Sequence, residues 1–380
     1  MQITSKLPDL SLTIFSEMTQ LAEAHGAINL SQGFPDYAVP AELPTLVAKY
    51  MQQGLNQYAP MLGVQPLREQ IAAKVLELYG AQYDPATEIT VTSGATEALF
   101  AAITAVVHPG DEVIVVEPAY DSYTPVIALC GGRPVYVQME FPDYRVAWQD
   151  IRKAISSRTR AIILNSPHNP TGAVFTREDM ASLIEIVQDT NIVIISDEVY
   201  EHILFDKCTH QSMARYPELA ERSFVISSFG KTYHATGWKI GYCLAPVDLS
   251  REIRKIHQYL TFASNTPVQY AFAEYMQKQE AYLGLSQFYQ KKRDKFLESI
   301  RDSRFKALPC KGTYFQMLDY SEITAEPDLE FAKRLTIDFG VAAIPPSVFY
   351  HRKIDHKVLR FCFAKKDETL QQAAEKLCKV

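Results

Sequence analysis

The chain has 380 residues, and its 38 basic against 44 acidic residues give a formal net charge of −6. Hydrophobic residues make up 47% and charged residues 22% of the chain, which is typical of a globular protein rather than a disordered one. Because like charges form no long block, this composition argues against a nucleic-acid-binding protein and against a polybasic membrane anchor. The length predicts more than one domain.

The first residues of the chain contain no apolar run of signal-peptide length. The most apolar stretch, residues 98–107, is too short to span a bilayer and predicts a buried helix. The six cysteines show neither Cys-x-x-Cys spacing nor a neighbouring histidine pattern, which argues against a disulfide framework and a zinc site. We therefore expect a cytoplasmic protein that binds no metal, membrane or nucleic acid.

Between residues 65 and 250, short runs rich in β-branched residues alternate with longer helical patterns. The runs predicted as strands are 88–92, 112–116, 134–138, 161–164, 192–196, 224–227 and 240–244. Several are continuously apolar, which is typical of strands buried on both faces of a largely parallel sheet. Segments such as 177–188, with apolar residues at helical spacing, predict helices on both sides of that sheet, so the fold class is α/β.

The pattern changes after residue 250. A long helical stretch is predicted over 249–297, followed by a short α+β section with strands near 314–318 and 358–363. The first 45 residues are irregular and rich in proline. We expect a large domain over 46–270 and a smaller α+β domain built from both chain ends, 1–45 and 271–380.

In an open α/β sheet, ligands bind beyond the carboxyl ends of the strands, so motifs that follow strands are the candidates for a site. Gly94-Ala-Thr-Glu97 follows the first predicted strand and opens a helix. Free backbone N–H groups at a helix start, with the Thr96 hydroxyl, can bind an anion. The same junction is common without any ligand, so both interpretations stay open here.

Two further strand ends carry polar residues. The loop 165–172 is punctuated by prolines in a way that fixes the Asn169 amide, although an ordinary turn has the same pattern. Asp197 and Glu198 follow the apolar run 192–195. A carboxylate at the end of a buried strand must find a cation or several donors, unless the turn is solvated. Asp197 continues the strand and Glu198 points the other way, so we assign the buried role to Asp197.

Lys231 follows the strand 224–227, in the segment Ser228-Phe-Gly-Lys-Thr232. Gly-Lys-Thr also occurs in the nucleotide-binding P-loop, but that loop needs a glycine five residues before Gly230, where this chain has Val225. A solvated turn lysine or a Schiff-base lysine remains. The second alternative requires a site that favours the neutral amine, because an ordinary lysine has a pKa of about 10.4.

Together these strand ends offer a phosphate site, a buried carboxylate, a lysine nucleophile and aromatic residues. Pyridoxal phosphate has a phosphate, a pyridine nitrogen, a phenolic oxygen, a flat ring and an aldehyde, and it needs this combination. The chain also resembles the class I aminotransferases of fold type I from residue 28 to its C-terminus. Within them it is most similar to the kynurenine aminotransferase group and its bacterial methionine aminotransferases. The segments that carry the resemblance are 29–36, 56–60, 169–172, 196–200, 228–239 and 358–363.

The resemblance implies a mainly parallel, seven-stranded sheet sandwiched by helices, with a smaller α+β domain. It implies that Lys231 forms the Schiff base with pyridoxal phosphate and moves the substrate proton, and that Asp197 pairs with the pyridinium nitrogen. Tyr200 is the third catalytic residue that it implies. The other implied cofactor contacts are with the phenolic oxygen, ring face and phosphate: Asn169, Tyr200, Tyr120, Ala95, Thr96, Ser228, Lys239 and Tyr58, the last from the neighbouring subunit of a homodimer.

Arg360 lies in an otherwise apolar strand. It forms either a structural ion pair or, as the resemblance implies, a bidentate clamp on the substrate α-carboxylate. The resemblance also implies that the Gly33 backbone approaches this carboxylate and that Asn169 is a further substrate-binding residue. The absence of a second prominent arginine for a side-chain carboxylate disfavours aspartate as the donor.

The resemblance places Phe15, Phe34 and Phe349 around the substrate side chain, which implies large apolar or aromatic amino acids, although core packing is the alternative for each. Ser264 and Asn265 stand where some relatives have an aromatic residue and a histidine, which favours methionine over kynurenine. We therefore expect a ping-pong transaminase acting on an amino acid and a 2-oxo acid. The alternatives are a cysteine-conjugate β-lyase and a kynurenine or glutamine transaminase.

Overall fold

The computed structural model of the chain describes residues 4–8, 10 and 12–380. The strands in these residues are β1 Ile28–Asn29, β2 Ile89–Thr92, β3 Glu112–Glu117, β4 Arg133–Gln138, β5 Thr159–Asn165, β6 Val193–Asp197, β7 Ser223–Ser228, β8 Gly241–Leu244, β9 Lys306–Ala307, β10 Phe315–Asp319, β11 Val341–Ala342 and β12 Val358–Cys362. The central strands lie within two residues of their predicted bounds.

The α-helices surround these strands and alternate with them over the middle of the chain. They are α1 Ile14–Ala24, α2 Glu42–Gln52, α3 Gln65–Tyr79, α4 Ala95–Val106, α5 Tyr123–Leu129, α6 Trp148–Ala154, α7 Arg177–Val187, α8 Pro217–Ala220, α9 Phe229–Thr232, α10 Val247–Leu260, α11 Thr266–Tyr275, α12 Glu280–Leu283, α13 Leu285–Ser299, α14 Asp328–Asp338 and α15 Asp367–Leu377. Within the described residues, no helix is both long enough and apolar enough to cross a membrane.

The central sheet has seven strands in the order β2-β8-β7-β6-β5-β3-β4. Strand β8 runs antiparallel to both of its neighbours, and the other pairs are parallel. Alternate residues enter two separate apolar cores, one containing Ile162 and Ile194 and the other Ile163 and Ile195. Both faces are covered, which explains the continuously apolar strands. The prediction of a mainly parallel seven-stranded sheet is confirmed.

The strand pairing brings a row of functional candidates to one edge of the sheet. Asn165 pairs with Asp197 at the carboxyl ends of β5 and β6. Gly241, at the amino end of the antiparallel β8, pairs with both Ser228 and Thr92. Because β8 runs antiparallel to β7, it begins at the edge where β7 ends. The connecting segment that contains Lys231 therefore stays at this edge.

The two chain ends meet in smaller sheets. Strand β1 pairs in parallel with β11, and β10 lies between β12 and β9 in an antiparallel sheet. Strands β1, β9 and β11 have two residues each, too few for a periodic pattern, and the sequence did not predict them. The division at residues 46 and 270 remains a prediction.

The prediction of one long helical stretch over 249–297 is wrong, because the segment forms α10, α11, α12 and α13. The break before α11 has a local cause: the Asn265 side chain caps that helix by accepting from the Val268 N–H at 3.2 Å, and Pro267 lies in its first turn. Phe262 has a positive φ of 64°, which ends α10. The prediction failed because the Asn265 cap lies within an otherwise helical sequence pattern.

Gly241 of β8 packs directly against the start of α4. We therefore expect Gly241→Ala to destabilise the protein. A Cβ at this position would lie 2.8 Å from both the Ala95 nitrogen and the Ser227 carbonyl oxygen, which are backbone atoms that cannot easily move. Overpacking of this kind typically lowers the free energy of unfolding by about 1–3 kcal/mol. Urea unfolding followed by circular dichroism measures it.

Gly237→Ala is the matched control, since a Cβ there meets no described atom within 4 Å. It should change the free energy of unfolding by less than about 0.5 kcal/mol. Equal unfolding midpoints for the two variants would contradict the packing role of Gly241.

Candidate active site

A cavity of about 360 Å³ opens beyond the carboxyl ends of the central strands. Most of the residues predicted to bind cofactor or substrate line it: Phe15, Gly33, Phe34, Ala95, Thr96, Tyr120, Asn169, Asp197, Tyr200, Ser228, Lys231, Lys239 and Arg360. The structure therefore brings together side chains from across the whole sequence. Tyr58 and Phe349 are the two predicted site residues that do not line the cavity.

The Lys231 amine is held at the cavity by α9, the short helix directly after β7. It donates to the Gly33 carbonyl oxygen and to the Tyr314 hydroxyl oxygen, both at 2.9 Å. Withdrawal from water lowers the pKa of Lys231 to about 8, and the positive charge of Arg360 acts in the same direction. At pH 7 about a tenth of the amine is therefore neutral and able to act as a nucleophile or base.

Asp197 ends β6 and is 4% exposed. Its carboxylate accepts from the Tyr123 hydroxyl at 2.6 Å and from the Val199 N–H at 3.3 Å. Both donors are neutral, so burial dominates and raises the pKa of Asp197 to about 6. The cavity therefore contains a buried carboxylate that a cationic ligand group would stabilise.

Glu198 is also buried, on the other side of the strand end. It accepts from the Ser196 hydroxyl at 2.9 Å and the Met213 N–H at 3.0 Å, and it lies 2.7 Å from His210 Nε2. These contacts satisfy it structurally. Alternation along the strand explains why neighbouring carboxylates have such different surroundings.

The start of α4 forms a candidate anion site. Gly94 has a positive φ of 82°, which glycine adopts readily, and it lets the chain turn directly into the 12-residue helix. A Cβ on Gly94 would lie 3.5 Å from Lys239 Nζ, so this amine lies beside the helix start. The helix dipole, the free N–H groups and Lys239 together favour a phosphate or similar anion.

Arg360 projects from β12 and is 1% exposed. It donates through Nη1 to the Asn169 side-chain oxygen at 2.8 Å and through Nη2 to the Ser31 carbonyl oxygen at 2.7 Å. Among the described residues, its Nε has no hydrogen-bond partner. These contacts are to neutral groups, unlike the structural ion pair considered from the sequence. The guanidinium lies 3.9 Å from the Phe315 ring centroid, and its charge can attract a ligand carboxylate.

The predicted pocket phenylalanines occupy different depths. Phe15 and Phe34 line the cavity, and Phe34 is 42% exposed. Phe349 is buried behind Phe15, with 5.9 Å between the ring centroids. Tyr58 is 86% exposed, and its predicted contact with a neighbouring subunit remains a prediction.

Sequence reasoning missed several residues that shape the site. Tyr123 holds Asp197, Tyr314 holds Lys231, and Phe315 lies under Arg360. Asn165 orients Asn169 by accepting from its N–H at 2.7 Å. Further cavity residues without a predicted role are Gln32, Leu99, Val199, Thr236 and Ile240. Tyr123 had one available signal: it lies three residues after Tyr120, at the start of α5.

Comparison with known protein families identifies the class of enzyme. The sequence model for class I and II aminotransferases matches residues 25–377, nearly the whole chain. The chain belongs to this aminotransferase family. The predicted resemblance is therefore confirmed, and so is the assignment of the chain as an enzyme.

Individual aminotransferases match over their full length. Methionine aminotransferase of Escherichia coli K12 is 53% identical over 374 residues, which are 98% of this chain and 97% of that protein. The crystal structure of Escherichia coli YbdL, for which a methionine aminotransferase function was identified, superposes with a TM-score of 0.98, at 52% identity over 100% of both chains. Human kynurenine–oxoglutarate transaminase 1 is 34% identical over 98% of this chain and 97% of its own length. The predicted fold-type-I architecture is confirmed by these matches.

The Asp197 environment predicts that Asp197→Asn stabilises the ligand-free aminotransferase at pH 8. The folded-state pKa of about 6 lies above the ordinary value of 3.8. A raised folded-state pKa contributes stability that is fully present below pH 3.8 and is lost as the pH rises through 6. At pH 8 the buried carboxylate therefore costs about 3 kcal/mol, and asparagine removes the charge while its oxygen keeps the Tyr123 hydrogen bond.

Urea unfolding at pH 8 and pH 4 tests this sign. The variant should gain up to about 3 kcal/mol at pH 8 and clearly less at pH 4, where Asp197 is protonated in the folded wild type. A gain of the same size at both values, or a loss at pH 8, would contradict the assigned burial cost.

Proposed function

We propose that the chain is a pyridoxal-phosphate-dependent transaminase that transfers the amino group of methionine and other large apolar or aromatic amino acids to a 2-oxo acid. The observation that carries the proposal is Lys231, whose amine has a lowered pKa and shares one cavity with Asp197 and Arg360. The substrate preference is supported by the 53% identity to methionine aminotransferase, against 34% to the human kynurenine enzyme.

The residues of the cavity fit pyridoxal phosphate on three independent features. The start of α4 with Lys239 suits its phosphate, and the Asp197 carboxylate suits a protonated ring nitrogen. The Lys231 amine suits its aldehyde. Tyr120, Asn169, Tyr200 and Ser228 complete the proposed set. When bound, the cofactor supplies a carbonyl group that reacts with amines and a ring that withdraws electrons.

The side chains around the bound cofactor would have different roles in the reaction, according to their charge. Lys231, partly neutral at physiological pH, would accept and return the proton on the substrate α-carbon. Asp197 would remain ionised beside a positive ring nitrogen, because that charge offsets the cost of its burial. Tyr200 lies near Lys231, with the amine 5.7 Å from its ring centroid, and would donate its hydroxyl hydrogen bond to the phenolic oxygen.

Arg360 would orient the substrate through its α-carboxylate. Burial lowers the pKa of Arg360 to about 10, so the side chain remains charged at neutral pH. Gly33 lines the same cavity, and its missing side chain lets the Phe315 ring pack against it, since a Cβ would come within 2.5 Å of that ring. Phe15 would then contact the apolar side chain. Because amino acid and 2-oxo acid share the α-carboxylate, both can use this site in turn, which favours ping-pong kinetics.

We further propose a homodimer in which Tyr58 reaches the phosphate of the neighbouring subunit. Tyr58 is 86% exposed and Phe262, which packs edge-on against it at 5.6 Å, is 42% exposed. Tyr259, near the end of α10, is also 86% exposed. Exposed aromatic residues grouped in this way are typical of a surface that another protein covers. Location in the cytoplasm stays a prediction from the sequence.

Lys231→Ala tests the proposed chemistry. Purified wild type should be yellow with bound cofactor, change colour on addition of methionine and recover on addition of a 2-oxo acid. The variant should lose these changes, and transamination should fall at least about a thousand-fold because its nucleophile and base are gone. Lys153→Ala, at an exposed lysine on α6, is the control and should behave as wild type. A colourless wild type that stays inert with added cofactor would refute the proposal.

Complementation tests the contribution of Tyr58 across the interface. Tyr58→Ala and Lys231→Ala homodimers should each have low activity at limiting cofactor. Subunit exchange between them should restore about a quarter of the wild-type activity, because each mixed dimer has one site with both native residues. Size-exclusion chromatography with light scattering checks the dimer. Tyr58 acting within its own subunit would give no recovery on mixing.

A further inference from the structure

A buried carboxylate near the cavity has no part in the proposed reaction. Glu117 is the last residue of β3 and is 1% exposed. Its Oε1 accepts from the backbone N–H of His351 at 2.6 Å, and its Oε2 lies 2.9 Å from the ring Nδ1 of the same residue. Both oxygens are therefore directed at one residue, which makes the contact geometrically specific.

The neighbouring residues extend this contact. The Ala119 N–H donates to the Phe349 carbonyl oxygen at 2.9 Å, so three hydrogen bonds join residues 117–119 to 349–351. The His351 ring also stacks on Tyr136 of β4, with centroids 4.0 Å apart and planes inclined by 6°. We name these three hydrogen bonds and this stack the Glu117–His351 clamp. It fastens the segment before β12 to the edge of the central sheet.

The clamp lies between two walls of the active site. Directly after Ala119 comes Tyr120, which lines the cavity. At the other end, Phe349 packs behind Phe15 and lies 5.8 Å from the Arg360 guanidinium, measured to the ring centroid. Phe349 therefore supports both the phenylalanine wall of the proposed substrate site and Arg360, which is proposed to bind the substrate carboxylate.

We propose that Glu117 and His351 are positioning residues that fix the spacing between Tyr120 and the Phe15–Phe349 wall, and so set the preference for long apolar amino donors. This inference rests on the proposed function, since it concerns the substrate of the same cavity. Its physical basis is that a phenylalanine wall selects side chains only while its distance from the reacting centre is fixed. The clamp supplies that fixed distance from outside the cavity.

The donors and acceptors of the Glu117–His351 contact predict which substitutions should disrupt it most. A carboxylate only accepts, so the His351 Nδ1 must carry the hydrogen. Glu117→Gln keeps an acceptor for the backbone N–H, and its amide can donate to the other tautomer of the ring. His351→Asn keeps a donor near the Nδ1 position. Glu117→Ala removes both hydrogen bonds to His351, and His351→Ala removes the ring contact with Glu117 and the stack on Tyr136 without offering a replacement donor. The alanine variants should therefore weaken the clamp most.

Steady-state kinetics with methionine and alanine, using one 2-oxo acid, measures the effect on selectivity. Methionine reaches the phenylalanine wall and the methyl group of alanine does not. The two alanine variants should raise the KM for methionine about ten-fold, with kcat for methionine and kcat/KM for alanine within about three-fold of wild type. The glutamine and asparagine variants should stay within about three-fold for both amino acids.

His108→Ala provides the matched control. His108 lies 3.4 Å from Asp111 just before the opposite end of β3, so it forms a histidine–carboxylate pair far from the cavity. It should leave the methionine-to-alanine ratio unchanged. Hydrogen exchange of the cofactor-free protein adds a readout without catalysis: the amides of Ala119 and His351 should exchange faster in Glu117→Ala, while β6 keeps its protection.

The possible outcomes separate this proposal from the function on which it rests. In an active wild type, an unchanged methionine-to-alanine ratio in both alanine variants overturns the positioning role, whatever the exchange shows. An equal loss for both amino acids overturns it too, because it indicates general destabilisation. A wild type that transfers no amino group from any large amino acid would instead refute the proposed function, and with it the preference that the clamp is proposed to set.

Discussion

Three ionisable side chains, those of Lys231, Asp197 and Arg360, are withdrawn from water into one cavity and contact neutral partners there. Burial disfavours the charged form of each side chain, which raises the pKa of Asp197 and lowers the pKa values of Lys231 and Arg360. The rest of the fold therefore has to stabilise an arrangement of side chains that burial makes electrostatically unfavourable. Ligand groups of opposite charge would offset that cost at Asp197 and Arg360, whereas the neutral form that burial favours at Lys231 is the form that can attack a carbonyl group.

The central sheet supplies the rigidity for this arrangement. Asp197 ends β6, and Lys231 lies on α9, directly after the adjacent strand β7. Backbone pairing of the two buried strands fixes the points from which both side chains start. The antiparallel β8 adds Lys239 at the same edge, beside the start of α4. Arg360 comes from a separate small sheet. The side of the cavity proposed to bind the cofactor is thus built on one continuous sheet, whereas the side proposed to bind the substrate depends on contacts between elements, among which we propose the Glu117–His351 clamp.

The sequence predicted those parts of the molecule that local chemistry determines. The buried strands were found because apolar runs mark them, and Asp197 was separated from Glu198 because side chains alternate along a strand. Tyr314 and Phe315 were missed because they reach the cavity only when the small sheet packs against Gly33. Glu117 looked like an ordinary strand end, since its partner His351 is remote in sequence. The break before α11 was missed because an Asn265 cap inside a helical pattern is a weak signal.

The pairing of β1 with β11 has a consequence for the order in which the enzyme is built. Residues 28–29 leave the ribosome early, but their partners at 341–342 are among the last to be synthesised. The central sheet, complete by residue 244, can form while the N-terminal segment still lacks its neighbours. Ser31 can contact Arg360 only at the end of synthesis, and Gly33, which accepts from Lys231, follows a strand whose partner is made equally late. The nascent chain can therefore form the strand before Lys231 early, whereas Tyr314, which holds the lysine amine, and Arg360 are added late.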